Sequence, residues 1–214
     1  MRKLNKLGIP EILKLSHDTW LLEFKSEPSN NNKKYKYRHP KIKQTLLEET
    51  GSKCIYCESK IGSTSPGDIE HKVPSSKNID LHFKWENLTI ACNECNRRKN
   101  DYYDGAGKEF LDPYIDDVEK VIDHRGPILG WEFGNQRAEI TVRILELNSE
   151  RRLQLIIRKI EKIGELNNLF ERYKRESSID LKMLIKLDIL RMTDIKSEFS
   201  AMIISIIKKI KSIR

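Results

Sequence analysis

The chain has 214 residues, a net charge of +8, and 38% hydrophobic against 34% charged residues. That is enough apolar content for one large domain, or a small domain with extensions, and no uninterrupted apolar run approaches the ~20 residues that span a bilayer. The basic surplus suits a polyanionic partner, because each Lys or Arg set against a phosphate releases counterions, but charge alone does not separate this from simple solubility.

Met1 to Ile9 is charged and lacks the apolar stretch of a signal peptide, so a cytoplasmic protein without a membrane partner is expected. Glu11 to Lys25, with Leu13, Leu15, Trp20, Leu21, Leu22 and Phe24, reads as a helix of untidy spacing. Residues 27–40, EPSNNNKKYKYRHP, read as a loop. Within it Lys33, Lys34, Lys36 and Arg38 alternate with Tyr35 and Tyr37. Such interleaving suits a grip on a nucleic-acid backbone with stacking on bases, and a solvated linker equally well.

Lys41 to Thr50 carries Ile42, Leu46 and Leu47 at helical spacing, and Gly51 stands at the C-cap position. Ser65-Pro66-Gly67 is a turn, Asp68 to Val73 a short strand stopped by Pro74, and Trp85 to Ile90 a second strand. A helix is expected from near Cys92, carrying Asn96 and Lys99 on neighbouring turns. A hairpin and one helix of this size are marginal in water, so metal ligation is the expected supplement.

Beyond the connector at Phe110 to Asp117, Pro127 to Phe133 and Ala138 to Leu145 read as extended segments around a Gly134-Asn135 hairpin turn. Ser149 is an N-cap candidate for a helix with the stripe Leu153, Ile156, Ile157, Ile160, Ile163 and Leu166. A second helix is expected over Ile179 to Met192 and a last one from Thr193, with apolar positions from Ile195 to Ile213. Lys208, Lys209, Lys211 and Arg214 flank that last stripe, which must bury its face in its own core or against a partner or a second copy. The expected organisation is a helical and loop extension over 1–48, a core over 49–112, and extended segments followed by helices over 113–214.

All four cysteines fall in the core, as Cys54/Cys57 and Cys92/Cys95. In a reducing compartment two Cys-x-x-Cys pairs point to tetrahedral zinc, and sulfur at every position leaves no open site for water, so this metal is structural. A redox Cys-x-x-Cys would not explain two pairs. Between the pairs lie Glu70, His71 and Asn87, and Asn96 follows directly. Glu70 and the Asn96 carbonyl are hard oxygen donors of the kind Mg²⁺ accepts, with Mn²⁺ as the other candidate. His71 can take a proton from an attacking water. Asn87 can bond the imidazole or its supporting backbone. Of the consecutive cations Arg97, Arg98 and Lys99, at least one is expected to face phosphates.

The segment resembles the HNH endonucleases, whose ββα-metal motif reads here as Glu70-His71, Asn87 and Asn96. The fold class is then α+β, a zinc-bound ββα-metal core in a mainly helical chain. The resemblance implies His71 as general base, Glu70 and Asn96 as ligands of the catalytic Mg²⁺ or Mn²⁺, Asn87 as the orienting residue, and the four cysteines as zinc ligands. Arg-His-Pro, Leu-Leu-Glu-Glu-Thr, Cys-Ile-Tyr-Cys-Glu-Ser-Lys-Ile, Trp-Glu-Asn-Leu-Thr, Cys-Asn-Arg-Arg-Lys, Leu-Asp-Pro-Tyr-Ile-Asp and Leu-Glu-Leu-Asn extend the likeness to the HNH subunit of Septu-type and retron-linked anti-phage systems, over roughly residues 35–155. That likeness implies a DNA-cutting effector held by an ABC/SMC-like ATPase, with a retron reverse transcriptase and its RNA–DNA where a retron is linked. The competing expectations are a zinc-stabilised nucleic-acid-binding module without catalysis and a nuclease toxin acting on host tRNA.

Overall fold

The computed structural model describes residues 1–62 and 66–212, of which 211–212 by backbone alone. The fold is α+β, with helices around two small antiparallel hairpins. In chain order the elements are α1 (Glu11–Ser26), α2 (Asn31–Lys34), α3 (Pro40–Thr50), β1 (Asp68–His71), β2 (Leu88–Ala91) and α4 (Asn93–Lys99). There follow α5 (Val118–Val121), β3 (Ile122–Arg125), β4 (Ile128–Trp131), α6 (Gln136–Ile144), α7 (Leu153–Arg175), α8 (Ile179–Arg191) and α9 (Ser200–Ser212).

The hairpin of β1 and β2 pairs Asp68 with Ala91, Ile69 with Ile90, Glu70 with Thr89 and His71 with Leu88. Both strands are shorter than their apolar runs predict. A 3₁₀ turn over Trp85–Asn87 takes the start of the expected second strand, and β1 ends at His71. Helix α3 begins on Pro40, whose fixed φ suits the first helical turn, and ends on Gly51 at φ 61°.

Three expectations are corrected. Residues 27–40 are not loop throughout: Asn30 accepts from the Asn32 amide to start α2, and a 3₁₀ turn over Tyr35–Arg38 follows. The second hairpin lies earlier than Gly134-Asn135, at β3 and β4 around Gly126 (φ 64°). Ala138 to Leu145 is not extended, because the Asn135 side chain accepts from the Ala138 amide and starts α6. Helix α9 begins at Ser200, after turns over residues 193–199. Ser65 of the expected turn, and Ile213 and Arg214 of the last stripe, lie outside the described residues.

One buried core runs through the molecule, from Leu4 and Leu13 through Ile42, Phe83 and Ile90 to Leu145, Leu166, Phe199 and Met202. Helix α9 belongs to it, with Met202 and Ile203 fully buried and the helix packed on β3. The apolar face left in solvent is on α8, where Ile179, Met183, Leu184, Leu187 and Leu190 are exposed and Ile185 alone is buried. No helix among the described residues is long and apolar enough to cross a membrane.

The turn after α3 closely meets the turns ahead of α9. A Cβ on Gly51 would lie 2.8 Å from the Ile195 carbonyl oxygen and 2.8 Å from the Lys196 Cα, both backbone atoms. Gly51→Ala combines that clash with the cost of a left-handed alanine and should destabilise the fold by about 1–3 kcal/mol. Thermal unfolding followed by circular dichroism checks it; an unchanged midpoint contradicts the packing.

Candidate active site and metal centre

Two Cys-x-x-Cys knuckles close on one point. The four sulfurs lie within 4.8 Å of one another, and Cys57 Sγ and Cys92 Sγ are 3.8 Å apart. Zinc at ~2.3 Å from each thiolate gives a tetrahedral edge of about 3.8 Å, so the cluster has the size the ion needs. The first knuckle is tied to the hairpin by the Ile55 amide donating to the Ile90 carbonyl (3.1 Å), and the second opens α4. Burial pushes the Cys54 thiol up, whereas sulfur-to-sulfur hydrogen bonds pull Cys57 down. Sulfur packed this densely calls for a cation.

Protein cations approach the same point from the start of α7. Arg152, at the end of a 3₁₀ turn capped by Ser149, places Nη1 3.2 Å from Cys95 Sγ and 3.1 Å from the Leu145 carbonyl. Burial lowers its pKa, but the thiolate charges of Cys95 and Cys57 outweigh this and raise it. Lys159 is buried about two turns further on; burial brings its ammonium down to about 8 against the opposing pull of Cys57. Neither residue was singled out from sequence. The available signal was Lys159 itself, a lysine spaced at four between Leu155 and Ile163 on the inward stripe.

Glu70 and His71 occupy successive positions at the end of β1. Glu70 is buried and both its oxygens are engaged: Tyr56 donates its hydroxyl to Oε2 (2.9 Å), and Lys99 Nζ stands 2.6 Å from Oε1. Lys99 also donates to the His71 carbonyl (2.8 Å). It is therefore turned into the site and is not one of the cations facing a phosphate. Arg98 is likewise spent on Glu94 and Glu146. Arg97 alone of the three keeps an exposed side chain, loosely paired with Glu94 at 3.3 Å.

The His71 imidazole is half-buried, and Nε2 donates to the His82 carbonyl (2.8 Å). Its ring stacks on that of His82, with centroids 4.5 Å apart and planes 10° from parallel. Tyr37 meets both rings edge-on. His82 is buried and donates from Nε2 to the Lys34 carbonyl (2.8 Å), so the stack is pinned to residues ahead of α3. Burial, and then the neighbouring His82, hold His71 down to about 3, so it is neutral at ordinary pH. With Nε2 carrying the proton, the lone pair sits on Nδ1.

Asn87 does not touch the imidazole. Its Oδ1 accepts from the Val73 amide (2.8 Å), and its Nδ2 donates to the carbonyls of Val73 and Leu81, each at 3.0 Å. It clamps the loop between the strands at both ends and so fixes the His82 carbonyl that His71 uses. Asn96 is half-buried on α4 and lines a cleft of about 510 Å³ shared with Asp68, Glu70, His71, Arg38 and Arg97. Asp68, Glu70 and Asn96 are oxygen-bearing side chains that line this polar space, and among the described residues the four cysteines form the one His/Cys/Asp/Glu group whose ligand atoms converge as a metal requires. Glu70 joins such a group only by exchanging its partner Lys99.

Residues 54–102, which hold both centres, match the model of the HNH endonuclease family. The chain is also similar to Septu protein PtuB of Bacillus thuringiensis, 30% identical over 115 residues that make up 53% of this chain and 44% of that protein. A second Septu protein PtuB, from Bacillus mycoides (strain KBAB4), is 26% identical over 183 residues, covering 67% of this chain and 62% of that protein. The chain thus spans less than two thirds of the length of either relative.

Cys95→Ser should lose the metal and, because a structural zinc contributes folding free energy directly, most of the cooperative fold. Native mass spectrometry of the wild type is expected to show about one zinc per chain by ligand count. A metal-free wild type that melts cooperatively at the same temperature would rule out the zinc.

Proposed function

We propose that this protein is a metal-dependent HNH endonuclease that hydrolyses phosphodiester bonds in DNA and serves as an effector of a Septu-type anti-phage system. The observation that carries the reading is the neutral His71, anchored through Nε2 and opening onto the same cleft as Asp68, Glu70 and Asn96. Its Nδ1 would draw a proton from water as the water oxygen attacks phosphorus and the P–O bond to the leaving oxygen breaks. Glu70 and Asn96 would hold Mg²⁺ or Mn²⁺, with Asp68 beside them, and the ion would offset charge on the phosphate and the leaving oxygen. Asn87 positions the base through its loop, and Arg97 supplies a cation at the cleft rim. Four cysteines without a disulfide suit the reducing cytoplasm.

A second reading has one observation in its favour. With both Glu70 oxygens taken, the same architecture could serve as a zinc-stabilised DNA-binding module without turnover.

Cleavage of plasmid, single-stranded DNA and RNA with Mg²⁺ or Mn²⁺ separates the two. His71→Ala should lower the rate by about 10²–10⁴-fold while leaving the zinc in place. The pH profile carries a further signature. A base held down to about 3 is not protonated between pH 8 and 6, so the rate should not fall there with an ordinary histidine titration near 6.5. Binding without cutting under every metal would favour the module.

Control by an ABC/SMC-like ATPase is part of the same proposal, with the exposed face of α8 as its docking surface. Of the final helices expected to dock a partner or a second copy, α9 fills the protein's own core, which leaves α8 for the contact. Met183→Asp with Leu187→Asp should abolish co-purification with the ATPase subunit at unchanged zinc content and melting temperature. A complex that survives both substitutions places the contact elsewhere.

A further inference from the structure

Resting on the nuclease reading, we propose that Arg38 is a second backbone-binding side chain of the cleft, taking a phosphate of the strand being cut. Arg38 precedes α3 and lies outside the matched residues 54–102. It reaches the cleft because its neighbour is fixed there. Tyr37 is buried, its ring centroid 4.5 Å from that of His71 and 5.1 Å from that of His82. That anchor sets the next residue on the cleft wall, where Arg38 stands with Asp68, His71, Asn96 and Arg97.

The guanidinium is also held in orientation. It lies 4.2 Å from the ring centroid of Tyr35 and 5.8 Å from that of Tyr37. Stacking of this kind occupies the flat face of the group; one donor is shared with the Tyr37 hydroxyl, and the remaining N–H groups of a fork with five donors can meet phosphate oxygens. Neighbouring phosphates of one strand are separated by about 3.4 Å of rise, so a cation this near His71 falls within a few steps of the scissile bond.

Of the other nearby cations, Lys34 lies over the Tyr35 ring and does not line the cleft, Arg97 stands at the rim with Glu94, and the rest are spent. Lys33 pairs with Glu27, Lys36 with Glu23, Arg98 with Glu94 and Glu146, and Lys99 with Glu70. Arg38 is exposed and has no carboxylate partner among the described residues. The cleft floor carries Asp68 and Glu70, which repel a polyanion, so a rim arginine without a carboxylate is where a strand gains most. Recognition of this sort reads backbone and not bases, and the resulting grip is independent of sequence.

The test compares Arg38→Ala, Arg38→Lys and a control, Lys186→Ala on α8, using an oligonucleotide of random sequence. Arg38→Ala should raise KM roughly tenfold with kcat nearly unchanged, and Arg38→Lys should recover part of the loss. Binding is measured separately in the His71→Ala background across a salt series, so that it reads out with or without turnover. There Arg38→Ala should reduce the slope of log affinity against log salt by about one, while Lys186→Ala leaves it unchanged. An Arg38→Ala protein with the parental slope and affinity overturns the proposal, even where the wild type cuts. A wild type that never cuts, but whose slope drops on losing Arg38, overturns the nuclease reading and leaves the backbone contact standing.

Discussion

Four sulfurs brought within 4.8 Å of one another are the constraint on which this structure depends. A zinc tetrathiolate carries a net double negative charge, and burying that charge without compensation is prohibitive. The compensation comes from far along the chain. Arg152 reaches Cys95 across 57 residues, and Lys159 stands behind it on the same helix. The knuckles therefore hold more than the small hairpin. They tie the start of α7 to the nuclease segment, while Lys53 and Glu58 between them bind Ser197 and Ser200 ahead of and within α9. A domain of this size, with short strands, gains from such cross-links what it lacks in sheet.

Helix α4 carries the constraint into the cleft. Its first turn begins at the second knuckle, and its last residue, Lys99, ends against Glu70 and the His71 carbonyl. Seven residues thus run from the cysteine cluster to the carboxylate beside His71. Lys99 does two jobs with one ammonium: it neutralises a buried Glu70 and fixes the backbone from which His71 projects. Charge balance in the cleft is consequently coupled to whatever occupies it, because an incoming cation and Lys99 compete for the same oxygen.

Short-range chemistry in the sequence was the legible part. The Cys-x-x-Cys pairs, the Glu70-His71 step, Asn96 just past the last cysteine and the Gly51 cap each act through near neighbours or a fixed ligand geometry, and each has a local signature. The same holds for Ser149, which caps the turn leading into α7; the expected stripe of that helix is corrected, since Leu153 and Ile160 are exposed and Leu155, Lys159 and Leu166 are the buried positions. What was not legible depended on competing partners. Gly134-Asn135 has the composition of a hairpin turn, but the Asn135 side chain found the Ala138 amide and began a helix, so the strand pairing moved to either side of Gly126. Residues 27–40 look unfoldable by composition, yet Glu23 and Glu27 take up Lys36 and Lys33 and order the turns. Lys99 and Arg98 read as cations for a polyanion only so long as Glu70 and Glu146 are not known to be adjacent.

The surroundings of His71 are built from outside the matched segment as much as from within it. His71 is oriented by the His82 carbonyl and stacked on the His82 ring, but that ring is fixed by Lys34, Tyr37 and Phe24. Holding an imidazole neutral well below its ordinary pKa takes burial of much of the ring, and a two-strand, one-helix unit has few side chains to supply it. The residues before α3 supply it, at the expense of folding 31–38 into short turns with little core of their own. The stretch that reads as a loop from composition therefore shields the proposed base, and the matched segment without it would expose His71 to water and bring it back toward an ordinary titration.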